Sequence, residues 1–193
     1  MYLLGLNGSH KQDGNTEYLL NRVLSKCRQQ GAEVEIVSVH DAIMDCKLPF
    51  CVSCTTPCAK VCYEGTKLEE LFEKSKQADC IVFGSPVYFG SMSAQLKALF
   101  DKTRAIRAEK AWKGKLAAAV SSGGSKYGGQ ERTIDAIQSC ALVEGMMIIG
   151  NSSDEFGMGH FGVSGQSPVT EDEYAAMQCD NLAQRIMEEL KKR

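Results

Sequence analysis

The stretch Cys51-Val-Ser-Cys54-Thr-Thr-Pro-Cys58-Ala-Lys-Val-Cys62 sets four thiols within twelve residues. Thiolates are soft metal ligands, and four on one short loop can wrap a [4Fe–4S] cube, because closely spaced sulfurs reach neighbouring corners without a large fold around them. Structural zinc also takes four cysteines, but zinc loops usually separate two Cys-x-x-Cys pairs by a longer insert. The cysteine-rich loop, residues 46–62 with Cys46 included, therefore reads first as an iron–sulfur site held by Cys51, Cys54, Cys58 and Cys62, with zinc as an alternative.

A second chemistry is written in Asn7-Gly8-Ser9-His10-Lys11-Gln12-Asp13-Gly14-Asn15-Thr16, which follows an apolar run and opens a helical one. The unpaired N–H groups and positive dipole end of a helix suit a phosphate, and Ser9, Asn15 and Thr16 can add side-chain hydrogen bonds. Equally, Asn15 or Thr16 can serve simply as the helix cap. Neither a P-loop nor a Gly-x-Gly-x-x-Gly fingerprint is present, since Gly5, Gly8 and Gly14 are wrongly spaced for both. Asp41 resembles a ribose-binding acid only in its place near the end of a strand.

Two further segments suit a flat ring. Gly84-Ser-Pro86-Val87-Tyr88-Phe89-Gly90-Ser91-Met-Ser93 offers aromatic faces in Tyr88 and Phe89 and main-chain donors around Val87 to Gly90. Ser121-Ser-Gly123-Gly124-Ser-Lys-Tyr127-Gly128-Gly129-Gln130 puts four glycines in seven residues, which lets backbone approach a ligand closely. Taken singly, these segments also fit an ordinary turn and a plain flexible loop.

The elements that must position these loops are short apolar runs at residues 2–6, 34–39, 80–83, 116–120 and 146–149, alternating with stretches of helical period. The runs lack polar alternation, as expected for parallel strands covered on both faces. Helices are predicted over 16–30, 67–77, 91–104, 131–145 and 171–192. The result is an α/β doubly wound five-stranded parallel sheet with helices on both faces, in which the chemistry-bearing loops gather beyond the carboxyl ends of the strands. Stripes such as Leu68, Leu71, Phe72 and Leu96, Leu99, Phe100 are core.

At 193 residues, with 44% hydrophobic and 24% charged residues, the chain is expected to form one domain, 1–193, with a full core. A net charge of −2 with mixed signs offers no footprint for nucleic acid or an anionic membrane, so a small-molecule partner is expected. The chain opens directly into a strand and shows neither a leader pattern nor a spanning run, so a cytoplasmic location is expected. In that compartment nine cysteines favour metal ligation over disulfides. Cys27, Cys80, Cys140 and Cys179 are expected to be small buried residues. Trp112 and Lys113 read as plain loop residues, and the lone His160 reads as a surface residue.

The runs Gly84-Ser-Pro-Val-Tyr-Phe-Gly-Ser-Met-Ser-Ala-Gln-Leu-Lys-Ala98, Gly128-Gly-Gln-Glu131 and Gly145-Met-Met-Ile-Ile-Gly150 resemble the NADPH-dependent FMN reductase superfamily. Within it the chain is most similar to the iron–sulfur flavoproteins and, without their cluster, to quinone reductases of the tryptophan-repressor-binding-protein type. The resemblance covers Met1 to about Gly150. It implies a flavodoxin-like fold, FMN as cofactor, NAD(P)H as a candidate reductant, and a homodimer or homotetramer.

By position, the resemblance assigns Ser9, Lys11, Asn15 and Thr16 to the FMN phosphate. It assigns Pro86, Val87, Tyr88, Phe89 and Gly90 to the isoalloxazine, with Gly123, Gly124, Tyr127 and Gly128 closing from the other side. The alternative for His160 is that its loop, residues 157–165, covers a flavin in this or a neighbouring subunit. It implies a four-cysteine cluster at the place of the cysteine loop. The match departs in spacing: the family commonly sets two residues between the second and third cysteine, whereas Cys54 and Cys58 have three between them, and Cys46 is extra. Cluster-free relatives keep some of these cysteines with no metal. The order of readings is a cluster, a metal-free remnant, then zinc.

Electron transfer between FMN and a [4Fe–4S] cluster, on to a small-molecule or protein acceptor, needs no acid–base side chain, so no catalytic residue is assigned. The alternatives are a cluster-free NAD(P)H-dependent FMN or quinone reductase and a zinc-stabilised flavodoxin-like binding module.

Overall fold

Successive residues of a strand point to opposite sides, so an unbroken apolar run must be covered twice. The computed structural model describes residues 1–193. In it β1 (Tyr2–Asn7), β2 (Glu33–Ser38), β3 (Cys80–Pro86), β4 (Leu116–Gly123) and β5 (Met147–Ile148) form a parallel sheet in the order β2-β1-β3-β4-β5. Leu4, Ile81, Phe83, Ala117 and Ala119 enter one core with α2 (Val39–Met44), α3 (Lys67–Gln77), α4 (Ala94–Lys102), α5 (Arg104–Ala108) and α6 (Gln130–Val143). Their strand neighbours Leu3, Cys80, Val82, Ala118 and Val120 enter the other, under α1 (Asn15–Gln29) and α7 (Glu173–Lys191). The order is that of a flavodoxin-like doubly wound sheet.

Helix α1 lies very close to the sheet because Gly84 has no side chain: a Cβ there would stand 2.7 Å from Leu20 Cδ1 and 2.9 Å from Thr16 Cγ2. This close packing draws the phosphate-type loop against the end of β3, where Gly8 N–H donates to the Gly84 carbonyl at 2.8 Å.

Four expectations change. The fifth strand is split: β5 pairs with Leu116 and Ala117, whereas a separate β6 (Val163–Gln166) pairs in parallel with Val120 to Gly123. Between them the chain leaves the sheet at Gly150, where a Cβ would collide with the His160 carbonyl, and returns at Gly162, where it would collide with that of Ala119. The predicted helix 91–104 starts later, because Ser93 Oγ accepts the Leu96 N–H at 3.2 Å as its cap, and Arg104–Ala108 forms its own short helix. Trp112 is core, 1% exposed, with its ring edge-on to Phe72, Phe83 and Phe100 and its Nε1 donating to Ser75 Oγ at 2.8 Å. Cys140 is only half-buried, unlike Cys27, Cys80 and Cys179.

Candidate functional site

Three loops beyond the carboxyl ends of β1, β3 and β4 meet one another. His10 Nδ1 lies 3.2 Å from the Tyr88 hydroxyl, and Ser93 Oγ donates to the Gly8 carbonyl at 2.7 Å. Val87 N–H donates to the Ser122 carbonyl at 2.8 Å, and Gly129, at φ +100°, comes so close to Gly90 that a Cβ would stand 3.2 Å from its Cα. The loop after β6 joins through Asn15, whose amide donates to Ser167 Oγ at 2.9 Å and accepts from Val169 N–H at 3.3 Å.

In the first loop, helix α1 begins after Gly14 and no side chain caps it. Neither Asn15 nor Thr16 is therefore the cap: Asn15 is spent on the β6 loop, and Thr16 Oγ1 is buried 3.0 Å from Ser122 Oγ. The Asn15, Thr16 and Glu17 N–H groups have no acceptor within the chain. Ser9 Oγ accepts Lys11 N–H at 3.1 Å, and Glu17 Oε2 takes Asp13 N–H and the Asn7 amide. A polar hollow of about 380 Å³ lined by Asn7, Ser9, Lys11, Ser38 and Asp41 opens beside this loop.

In the third loop, Tyr88 and Ser91 exchange main-chain hydrogen bonds of 2.9 and 3.1 Å around Phe89 and Gly90, which both have positive φ (51° and 75°). That is the pattern of a tight primed turn, in which Asn-Gly is the unstrained pair. A phenylalanine there is held against its preference, and its ring is wholly in solvent at 110% exposure. The Phe89 and Gly90 N–H groups have no acceptor within the chain. A strained turn that displays an aromatic ring and two free donors fits a planar heterocycle.

In the fourth loop Gly123 belongs to β4, and Gly124 and Gly128 frame a turn in which Gly128 N–H donates to Ser125 O at 3.1 Å. Tyr127 projects into solvent at 92% exposure. Gln130, buried at the start of α6, ties this loop with a 2.6 Å bond from Nε2 to Ser125 O. A larger hollow of about 1100 Å³ runs from Tyr127 and Gln130 to His160, Gln166, Ser167 and Tyr174. Pro86 to Gly90, Gly123 and Gly124 line neither hollow.

Hydrogen bonds tie the cysteine loop to α2, α4, α5, Glu109 and its own turns, and none of them runs to the loops after β1, β3 or β4. All four cysteines are free thiols; Cys54 is exposed and Cys51, Cys58 and Cys62 are half-buried. Burial would raise the Cys51 thiol, but hydrogen bonds from Ser53 and the nearby Arg104 guanidinium outweigh it and hold it below the usual cysteine value. Arg104 also reaches Thr55 O and Thr56 Oγ1, both at 3.3 Å, and Lys102 Nζ donates to Cys62 Sγ at 3.3 Å.

Free thiols flanked by two cations are the donor chemistry of a thiolate-ligated metal. No three His, Cys, Asp or Glu side chains stand close enough to hold a metal ion. Cys46 belongs to the core; burial raises its thiol, and its Sγ donates to Ala42 O at 3.4 Å. Burial pushes Cys27 and Cys179 up to about 12, leaving them inert.

Lys102, Arg104 and His10 lie in sequence patterns that look like ordinary helix surface or loop, and nothing local marks them; Gln130 directly follows the glycine run, the one signal that points to it. No helix is long and apolar enough to cross a membrane.

The family of NADPH-dependent FMN reductases matches residues 1–160. The chain is 34% identical to an iron-sulfur flavoprotein of Methanocaldococcus jannaschii, over 99% of this chain and 98% of that one. It is 32% identical to an iron-sulfur flavoprotein of Methanosarcina thermophila, over 98% and 95%. Among solved structures, the Trp repressor binding protein of Bacillus subtilis superposes with a TM-score of 0.63 at 17% identity, covering 93% of this chain and 96% of that one. Fold, loop chemistry and likeness agree: the chain belongs to the NADPH-dependent FMN reductase family and is a flavin-dependent oxidoreductase.

Proposed function

We propose that the chain, as one FMN-binding domain over residues 1–193, carries a [4Fe–4S] cluster on its cysteine loop and passes electrons between FMN and that cluster. A small-molecule or protein donor and acceptor complete the circuit, with NAD(P)H as a candidate reductant and a homodimer or homotetramer as the working assembly. The observation that carries this reading is the set of four unpaired thiols with cations at both ends, in a chain alike over nearly its full length to proteins named iron-sulfur flavoproteins.

When bound, FMN supplies two-electron and one-electron chemistry and the cluster one-electron chemistry. The chain's own residues bind and shield. The Ser9 hydroxyl and Lys11 ammonium, with the free N–H groups of Asn15 and Thr16, would hold the phosphate; the Asn15 and Thr16 side chains brace the loop. Pro86, Val87 and Tyr88 form the base of the turn that offers the Phe89 ring and the Phe89 and Gly90 N–H groups to the isoalloxazine. Gly124, where a side chain would meet open space, would leave room opposite, with Gly123 and Gly128 packed on Gln130 and Ser125 behind it and the exposed Tyr127 ring free to cover the flavin. Cys51, Cys54, Cys58 and Cys62 would each bind one iron. No side chain is asked to move a proton.

The absence of any three metal-binding side chains close enough to share an ion favours a second reading, a cluster-free NAD(P)H-dependent FMN or quinone reductase. The test is an absorption spectrum of anaerobically purified protein with iron, zinc and acid-labile sulfide counts on the same sample. Flavin bands with iron and sulfide are expected. Flavin without metal selects the reductase, zinc without flavin selects a binding module, and absence of flavin overturns the FMN assignment.

A further inference from the structure

Lys102 ends α4 with its side chain inside the protein, 2% exposed. A buried ammonium is strongly disfavoured unless negative charge or several acceptors meet it. No carboxylate does so here. Glu109 pairs with Lys60 and Lys76, Asp101 pairs with Lys97, and Glu144 accepts from Thr103. The single acceptor of the Lys102 ammonium is Cys62 Sγ at 3.3 Å, in the last of the four cysteines of the loop.

A neutral thiol is a poor acceptor for a buried cation, whereas a thiolate is a full counter-charge. Metal ligation makes a cysteine a thiolate. A loaded loop would therefore set a full counter-charge at the one acceptor of the buried ammonium. Hydrogen bonds to ligand sulfurs and net charge are the protein's main controls over the potential of a cluster.

We propose that Lys102 is a positioning residue for the metal centre: its ammonium donates to the Cys62 sulfur, draws that ligand against α4, and raises the reduction potential of the cluster by placing a positive charge beside it. This rests on the cluster reading above. Arg104, two residues on, meets the other end of the cysteine run but is half-exposed, so solvent screens its charge and it has the smaller effect.

The test compares the wild-type chain with Lys102→Met and Lys102→Arg, all purified without air. Each is assayed for iron and acid-labile sulfide, and cluster and flavin potentials are read in one EPR-monitored titration. Lys102→Met is expected to keep the flavin potential and lower that of the cluster, so that at a fixed poise the reduced-to-oxidised cluster ratio falls by about tenfold or more. Lys102→Arg stays near wild type. Iron lost in Lys102→Met with flavin still bound, and regained in Lys102→Arg, also supports the role.

A loaded Lys102→Met with an unshifted cluster potential overturns the role of Lys102 alone. Wild-type protein free of iron and sulfide overturns it together with the cluster reading. If Lys102→Met does not fold, Lys102→Gln, which keeps a donor without the charge, carries the same comparison: a lowered potential supports the charge, an unchanged one refutes it.

Discussion

The Thr16 and Ser122 hydroxyls meet at 3.0 Å inside the protein, joining the first turn of α1 to the last residues of β4 across 106 positions of sequence. Both are buried, and each is the other's only side-chain hydroxyl partner. Thr16→Val keeps the shape but strands the Ser122 hydroxyl, at an expected cost of about 1–3 kcal/mol. Adding Ser122→Ala should recover part of that loss, so urea unfolding of the two single variants and the double will be non-additive. Additive losses would show that the pair does not couple the two loops.

Phe89 at positive φ predicts a trade between stability and binding. Phe89→Asn relieves the left-handed strain and is expected to stabilise the flavin-free chain by about 1 kcal/mol. It also removes the exposed ring, which should weaken FMN binding by about tenfold, the size of one aromatic contact. Calorimetric titration of flavin-free protein reads the second effect, and unchanged affinity would place the flavin away from this turn.

The buried and exposed cysteines should answer differently to replacement. Cys46→Ala opens a small core void and should cost about 1 kcal/mol while leaving the iron content intact. Cys54→Ala, on the exposed part of the loop, should barely change unfolding but lose iron from anaerobic preparations. Retained iron in Cys54→Ala together with lost iron in Cys46→Ala would reverse the ligand assignment.

Burial raises the Glu144 carboxyl above its ordinary value, partly offset by the Thr103 hydroxyl at 2.8 Å and by Arg107. The unfolded chain then gives up this proton at lower pH than the folded one. The contribution of Glu144 to stability is complete below the unfolded pKa and is lost as pH rises through the folded one. Glu144→Gln keeps an acceptor for Thr103 and cannot ionise. Denaturation should show the variant gaining on wild type more at about pH 7 than at about pH 4; an equal difference at both refutes the assignment.

Much of this architecture is visible in the sequence because its signals are local. The residues 67–77 show a helical stripe and form α3 over the same bounds, and the runs at 2–6 and 116–120 become doubly covered strands. The split fifth strand is not visible: Met146 to Ile149 is a continuous apolar run, yet only two residues pair, whereas Val163-Ser-Gly-Gln166 has one aliphatic side chain and pairs over four. Trp112 shows no periodicity because it stands alone between elements. Lys102 looks like any basic residue in the last turn of a helix. It is buried, and its one acceptor lies in a loop forty residues earlier, so that no short window of sequence contains both.

Asn151 sits where the chain departs from the sheet between β5 and β6. Its N–H donates to the His160 carbonyl at 3.1 Å, its Oδ1 accepts the His160 N–H, and its amide donates to the Gly162 carbonyl at 3.1 Å. One side chain thus laces shut the neck of an excursion whose two flanks are fastened independently to β4. The excursion thus leaves and rejoins the sheet at a single pinned point, and β5 and β6 each keep their own register against β4.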